Sequence, residues 1–388
     1  MHSPLSRPPS FGRTALLYAL FFLLLTAAGL ALCEGALRAY QWLQRDSRTI
    51  ISSDLLHHRL RANLDAIDPR ADKPHRLVTN SQSFVEEKDI TAAKEPGVYR
   101  IFYVGDSNVQ GLVDFPDKMV RIVQAELNRS LPSGIKRIEV INTGTSSYSP
   151  YPYFVLIKHI ILGLSPDLIV VNVDMTDCAN DALYSRFAVY DSNGELDRLV
   201  DALETSRFDY IMMPTGLVRI EKPSKAYRWL VEHSAIAYYV DKIVTRNRVR
   251  AAINNLDSEV DHDADWLAWE WTPAIEASVK RLTDMLGQTA RLVRSKGVKI
   301  AFTGVPHLPQ YDGRWSPRPF EALAEFARKN DVPYFDGYAA IRDRAPPDGL
   351  ASLYFKTDDT HFNVAGNRVW ADAQIAFLRD PRWNLIPR

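Results

Sequence analysis

An open parallel β-sheet covered by helices on both faces is the fold predicted for this chain, and three observations predict it. From Val98 onward, short apolar runs rich in β-branched and aromatic residues alternate with segments of helical spacing. The run Asp167-Leu-Ile-Val-Val-Asn-Val173 is apolar almost throughout, as a strand buried on both faces must be. The connections between runs are helix-sized, which parallel strands require.

Taken in order, Arg100–Val104 is the first strand, and Phe115 to Asn128 is a helix with Met119, Ile122, Val123 and Leu127 on one stripe. Arg137–Asn142 is the second strand, Tyr153–Leu164 the next helix, and Asp167–Val173 the third strand. A helix from about Pro273 to Ser295 leads into the strand Val298–Thr303, and one from Arg318 to Lys329 leads into Val332–Asp336. The stretch from about 182 to 272 exceeds the roughly 2–6 residues usual for such connections, so it is predicted to fold as a mainly helical insertion. Within it Lys225–Val244 has helical spacing through Tyr227, Leu230, Ala235, Tyr238 and Tyr239, and Trp266, Trp269 and Trp271 cluster near its end. Such aromatics are first of all packing residues. The sharper alternative is a lid whose rings stack on sugar faces.

Ahead of the sheet the sequence is of another kind. Thr14 to Cys33 carries no charge, and at about 1.5 Å per residue it matches a hydrocarbon core of about 30 Å. It is expected to be a single transmembrane helix, with residues 1–13 as a cytoplasmic tail. A cleaved signal fits less well, because its apolar region is usually about 7–15 residues and ends in a small-x-small site. Leu-Ala-Leu-Cys33 matches a lipoprotein box only loosely, with bulky Leu32 where a small residue belongs. Arg7 and Arg13 precede the span while Arg38, Arg45 and Arg48 follow it, so the positive-inside count does not settle its orientation. Residues 34–75 are expected to form a stalk, helical and of mixed charge to about Arg61, with the globular domain at 76–388.

Composition excludes one class of partner. Formal net charge is zero, and no basic stripe interleaved with aromatics offers itself to a phosphate backbone, so nucleic acid is not expected. Cys33 and Cys178 do not suggest a disulfide, since the first falls in the apolar segment. No cofactor or metal is expected. The acidic run Asp257 to Asp265 lacks the glycine and glutamate of an EF-hand loop, Trp266 and Thr272 standing in their places, and reads as a solvated acidic loop. His57-His58 has no spaced ligand partner and reads as stalk surface.

In open α/β sheets, ligand sites lie beyond the carboxyl ends of the strands. After the first strand stand Gly105-Asp106-Ser107, after the second Asn142-Thr143-Gly144, after the third Asp174-Met175-Thr176-Asp177, and before the last helix Asp358-Asp359-Thr360-His361. A serine hydroxyl is a weak nucleophile until a base takes its proton, and His361 is the candidate base. Asp358 can orient the imidazole and stabilise the imidazolium. The oxyanion then needs donors, for which the N–H groups of Ser107 and Gly144 are candidates.

This constellation resembles the SGNH or GDSL hydrolase superfamily over roughly Arg76 to Leu378, apart from the insertion. The resemblance rests on Gly105-Asp106-Ser107, on Gly144 in its Asn-x-Gly context, and on Asp358-x-x-His361. It implies a flavodoxin-like three-layer α/β/α sandwich, a Ser107–His361–Asp358 triad, and an oxyanion hole of serine N–H, glycine N–H and an asparagine side chain. One block departs: Thr176 aligns with that asparagine, leaving Thr176 or Asn180 as the side-chain donor. The resemblance further implies a membrane-anchored serine esterase, of the carbohydrate O-deacetylase type, acting on an acylated glycan of the cell envelope or an exported polysaccharide. A small ester is a further substrate candidate, and the domain is expected on the extracytoplasmic, periplasmic side. A polysaccharide O-acetyltransferase with the same triad, and a non-catalytic glycan-binding protein, are the alternatives.

Overall fold

A computed structural model of the chain describes residues 11–43, 49–70, 72–200, 208–213, 216–221, 224–241, 243–244 and 266–387. Five strands form one sheet: β1 (Val98–Val104), β2 (Arg137–Asn142), β3 (Leu168–Asp174), β4 (Lys299–Val305) and β5 (Tyr334–Asp336). Their spatial order is β5-β4-β3-β1-β2 and every pairing is parallel. This is the flavodoxin-like order, as the resemblance implies.

The helices are α1 (Phe11–Leu43), α2 (Ser107–Gln110), α3 (Met119–Arg129), α4 (Pro150–His159), α5 (Asp177–Tyr184), α6 (Lys225–His233), α7 (Pro273–Ser295), α8 (Arg318–Asn330) and α9 (Val364–Arg379), besides shorter turns. All residues of β1 and β3 are buried, which is why those runs show no polar alternation. Successive strand side chains nevertheless serve opposite layers. Phe102, Val104, Ile169, Val171 and Phe302 pack with Phe154 of α4, Leu282 and Leu286 of α7 and Phe326 of α8. Ile101, Tyr103, Val140, Val170 and Ala301 pack with Val123 and Leu127 of α3 and Trp370 and Phe377 of α9.

Local chemistry sets the helix ends. α7 starts where the Thr272 hydroxyl accepts from the Ile275 N–H at 3.2 Å, with Pro273 in the first turn. α3 begins at Met119, later than the spacing predicts, because Phe115–Asp117 closes as a 3₁₀ turn around Pro116. α4 begins earlier, at Pro150, and a second 3₁₀ turn covers Ile161–Leu164.

The path of the chain creates the crevice. From β1 it moves outward to β2, then crosses back to place β3 on the other side of β1. The connections on either side of β1 therefore leave in opposite directions, and the carboxyl ends of β1 and β3 flank the gap.

Two expectations need correction or completion. The mixed-charge segment after the apolar stretch predicts a helical stalk to Arg61, but the helix ends at Leu43. Strands Ile50–Ser53 and His57–Leu60 form one hairpin, and Asp65–Asp68 and His75–Val78 form another. Both lie in the same compact unit as the sheet and bury Leu60, Leu64 and Leu77 with Val85 in a cluster of their own. His57 and His58 are accordingly half-buried, with both rings against Tyr184. The insertion carries strands Ala188–Tyr190, Leu196–Leu199, Phe208–Met213 and Gly216–Glu221 as well as the expected helices, α6 and a second at 235–241. The acidic run Asp257–Asp265 and the tail bearing Arg7 lie outside the described residues.

Contacts divide the chain into two compact units, one of residues 1–46 and 220–256, the other of residues 47–219 and 257–388. In the first, Thr14–Tyr40 of α1 is long and apolar enough to cross a membrane, as a signal sequence also is. In the second, Trp266 is buried with its indole N–H on the Met175 carbonyl at 2.6 Å, and Trp271 stacks under Arg318 at 4.1 Å. These two rings are packing residues. Trp269 is exposed.

Candidate active site

The site grows from the end of β1. Gly105 and Asp106 leave the strand, and Asp106 caps the one-turn helix α2 by accepting from the Asn108 N–H at 2.8 Å. Gly111, at φ 73°, closes that turn with its N–H on the Ser107 carbonyl. Ser107 is thereby held as the first residue of a fixed turn at the sheet edge.

His361 and Asp358 arrive from the loop before α9. Ser107 Oγ lies 2.7 Å from His361 Nε2, and His361 Nδ1 lies 2.7 Å from Asp358 Oδ2. The other oxygen of Asp358 accepts from the Thr360 N–H at 3.1 Å and hydroxyl at 2.7 Å, which fixes the carboxylate. The loop is in turn held from the 65–78 hairpin, where Asp72 accepts from the Lys356 and Thr357 N–H groups at 2.7 and 3.0 Å. With Nδ1–H given to Asp358, Nε2 is the acceptor facing the serine proton.

Burial disfavours the imidazolium of His361, but the Asp358 carboxylate outweighs it, with Asp106 and Asp174 adding to the effect, so the His361 pKa is raised above its ordinary value. Burial likewise opposes the charge on Asp358, and the hydrogen bond and charge of His361 hold its carboxyl well below the usual range. Only neutral His361 can accept the Ser107 proton. Any activity through this pair should therefore rise with pH, with kcat/KM inflecting above about 6.5. Asp358→Asn removes the group that raises the pKa, so its inflection should move to lower pH. A pH profile unmoved by that substitution would assign the inflection to another group.

Asp106 is the obvious other group. Burial, and then the charge of Asp174, push its pKa up to about 7. Its Oδ2 lies 3.1 Å from Ser107 Oγ. The hydroxyl has one proton for two neighbours, and the shorter contact is with His361.

The predicted oxyanion residues fare differently. A pocket of about 440 Å³ opens beside the triad, lined by Arg70, Ser107, Leu112, Ser146, Ser147, Thr357, Asp358 and His361. Gly144 is not among its walls: its N–H goes to Asn142 Oδ1 at 3.0 Å, while Asn142 Nδ2 donates to the Val109 carbonyl at 2.8 Å. The Asn-x-Gly element is a clasp that holds α2 against the end of β2. Thr176 donates its hydroxyl proton to Asp174 Oδ1 at 2.8 Å, and the Asn180 amide donates to the Thr176 hydroxyl at 3.4 Å. Neither Thr176 nor Asn180 is among the residues that line the pocket.

Three contributors escape sequence reasoning. Ser147 lines the pocket at φ 65°, in a turn closed by the Tyr148 N–H on the Thr145 carbonyl at 3.1 Å. A left-handed residue at that turn position is ordinarily glycine, and the serine gives no sign of it. His307, after β4, places Nε2 2.9 Å from Asp174 Oδ2, which also accepts from Asn108 Nδ2 at 2.9 Å. The Asp174 carboxylate thus ties the nucleophile turn to β3 and β4. Arg70, in the loop between the strands of the second hairpin, pairs with Asp68 and donates to Ser146 Oγ at 2.6 Å.

No family model and no curated protein matches the chain. Solved structures do. A lipase/acylhydrolase from Enterococcus faecalis is 13% identical, with a TM-score of 0.39, over 72% of this chain and 95% of its own. A lipolytic protein assigned to the G-D-S-L family, from Desulfitobacterium hafniense, is 9% identical with a TM-score of 0.38, over 72% and 99%. An acetylxylan esterase from Geobacillus stearothermophilus is 11% identical with a TM-score of 0.39, over 74% and 96%.

Proposed function

We propose that this chain is an SGNH-type serine esterase that works through an acyl-enzyme. The observation that carries the proposal is the contiguous Ser107–His361–Asp358 hydrogen-bonded line, at 2.7 Å for both links, beside an open pocket. In the first half-reaction His361 Nε2 takes the Ser107 proton as Oγ attacks the ester carbonyl. The N–H groups of Ser107 and Ser147 are the donors proposed for the oxyanion. His361 then gives its proton to the leaving alkoxide, and the acyl group stays on Ser107. In the second half an incoming hydroxyl loses its proton to His361 and attacks the acyl carbonyl, and as the bond to Oγ breaks His361 returns that proton to Ser107.

Water as the incoming hydroxyl gives a deacylase, and a sugar gives an O-acyltransferase with the same triad. The substrate class proposed is an O-acetyl ester of a glycan, following the sequence resemblance, with α1 as a membrane span and the domain outside the cytoplasm. The test is covalent labelling of the detergent-solubilised full chain by a fluorophosphonate, followed by release of p-nitrophenol from its acetate ester. Labelling confined to Ser107 and burst release of p-nitrophenol are expected. A folded protein with neither property would be a non-catalytic binder.

A further inference from the structure

We propose that the helical pair in residues 224–244 of the insertion is a second membrane contact, lying in the headgroup layer beside the exit point of α1. The proposal rests on α1 being a membrane span.

The uncharged stretch of α1 ends at Cys33, so Glu34 stands within about one turn of the hydrocarbon boundary. A carboxylate there is costly unless its acceptor sites are filled. The helix pair fills them. Glu34 accepts from the Ala235 N–H at 2.8 Å, from the Ile236 N–H at 3.0 Å, and from the Ser234 hydroxyl at 2.9 Å. Arg38, one turn further along, donates to Glu34 at 2.7 Å and to the His233 carbonyl at 2.6 Å. One ion pair on α1 therefore caps the start of the helix at 235–241 and satisfies the end of α6. The Tyr40 and Tyr239 rings approach to 6.3 Å, and Ala235 is buried at the seam.

That docking fixes the depth of what the pair leaves uncovered. Trp229 is 60% exposed, Leu230 46%, Val240 50% and Ile243 62%. Leu16 to Leu32 of α1, which only acyl chains can cover in a span, are similarly exposed, and the pair is held at Glu34, two residues beyond them. Tryptophan and tyrosine beside aliphatic residues suit the boundary between headgroups and acyl chains. The occupant inferred is therefore lipid.

The experiment uses the full chain in vesicles of phosphatidylcholine and phosphatidylglycerol, with and without phosphatidylcholine brominated near the ester end of its acyl chains. The vesicles are first floated after an alkaline wash, to show that the chain is integral. Bromolipid should quench the tryptophan emission of the wild type, and Trp229→Phe should lose part of that quenching, with the background from the remaining tryptophans common to both. Glu34→Ala should lower the Trp229 contribution by releasing the pair. Failure to float would remove the span and the proposal with it. Flotation with equal quenching in wild type and Trp229→Phe would overturn the interfacial contact alone. Shielding of Trp229 from both bromolipid and aqueous iodide would place it against this chain or a second copy of it and overturn the lipid contact.

Discussion

Replacing Ser107 or His361 by alanine is expected to lower kcat for an activated acetate ester by about 10⁴- to 10⁶-fold, with KM changed little. The two residues act as one unit across their 2.7 Å contact, so the double variant should be no slower than the worse single one. Asp358→Asn should fall between, at roughly 10²- to 10⁴-fold, because the imidazole loses its orienting acceptor while the serine and pocket remain. Steady-state kinetics beside circular dichroism on each variant makes the comparison. A folded Ser107→Ala protein within tenfold of wild type would remove the nucleophile and favour glycan binding without catalysis.

The second large effect is expected at a residue that does not line the pocket beside the triad. A Cβ at Gly144 would stand 2.2 Å from the Gln110 nitrogen, 2.6 Å from the Val109 carbonyl carbon and 2.9 Å from the Asp106 carbonyl oxygen. All three are backbone atoms of the nucleophile turn, so no side chain can swing aside. Gly144→Ala must push α2 away from β2 and carry Ser107 with it. Overpacking of this kind costs typically about 1–3 kcal/mol, and a displacement of about 1 Å at a reacting group costs about 10²-fold in rate. A lower thermal midpoint together with kcat reduced about 10²-fold is the expected result. Wild-type kinetics in the Gly144→Ala protein would show that the clasp does not position the serine. The N–H of residue 144 survives the substitution, so a loss cannot be assigned to a missing donor.

The contrast between these two positions shows what the sequence makes legible. Ser107, Asp358 and His361 are readable as candidates because such side chains can carry acyl-transfer chemistry and because buried strands announce themselves by continuous apolar runs, which locates the strand ends. The first two hairpins are not readable. Their strands have four residues each, too few to show a period, and the surrounding chain takes positive φ at His57 and Asn63. Gly144 is visible as a glycine, but the reason for it lies on another element, the backbone of α2. Ser147 is hidden for the converse reason, since a left-handed backbone can be imposed on a serine by its neighbours. His307 is distant in sequence from Asp174 and follows no motif, and only the register of β4 on β3 brings them together.

The departure at Thr176 also changes meaning. In sequence it reads as a weakened oxyanion donor. In the structure Asp174 Oδ1 accepts from both the N–H and the hydroxyl of Thr176, at 2.9 and 2.8 Å, while Oδ2 serves His307 and Asn108. Burial works against the Asp174 charge, yet these partners, His307 foremost, hold its carboxyl low. Thr176 helps to keep an anion in place behind the nucleophile.

The two halves of the proton-transfer pair are separated by 254 positions, and the loop carrying His361 and Asp358 is pinned by Asp72 from the amino-terminal side of the sheet. During synthesis, β1 to β4 and the nucleophile turn leave the ribosome well before the base exists. Under the proposed mechanism the nascent chain is therefore chemically silent for most of its production and gains its proton acceptor only when the last loop and α9 dock. A chain cut short before residue 356 would keep every strand of the sheet and lack both the proposed base and its carboxylate.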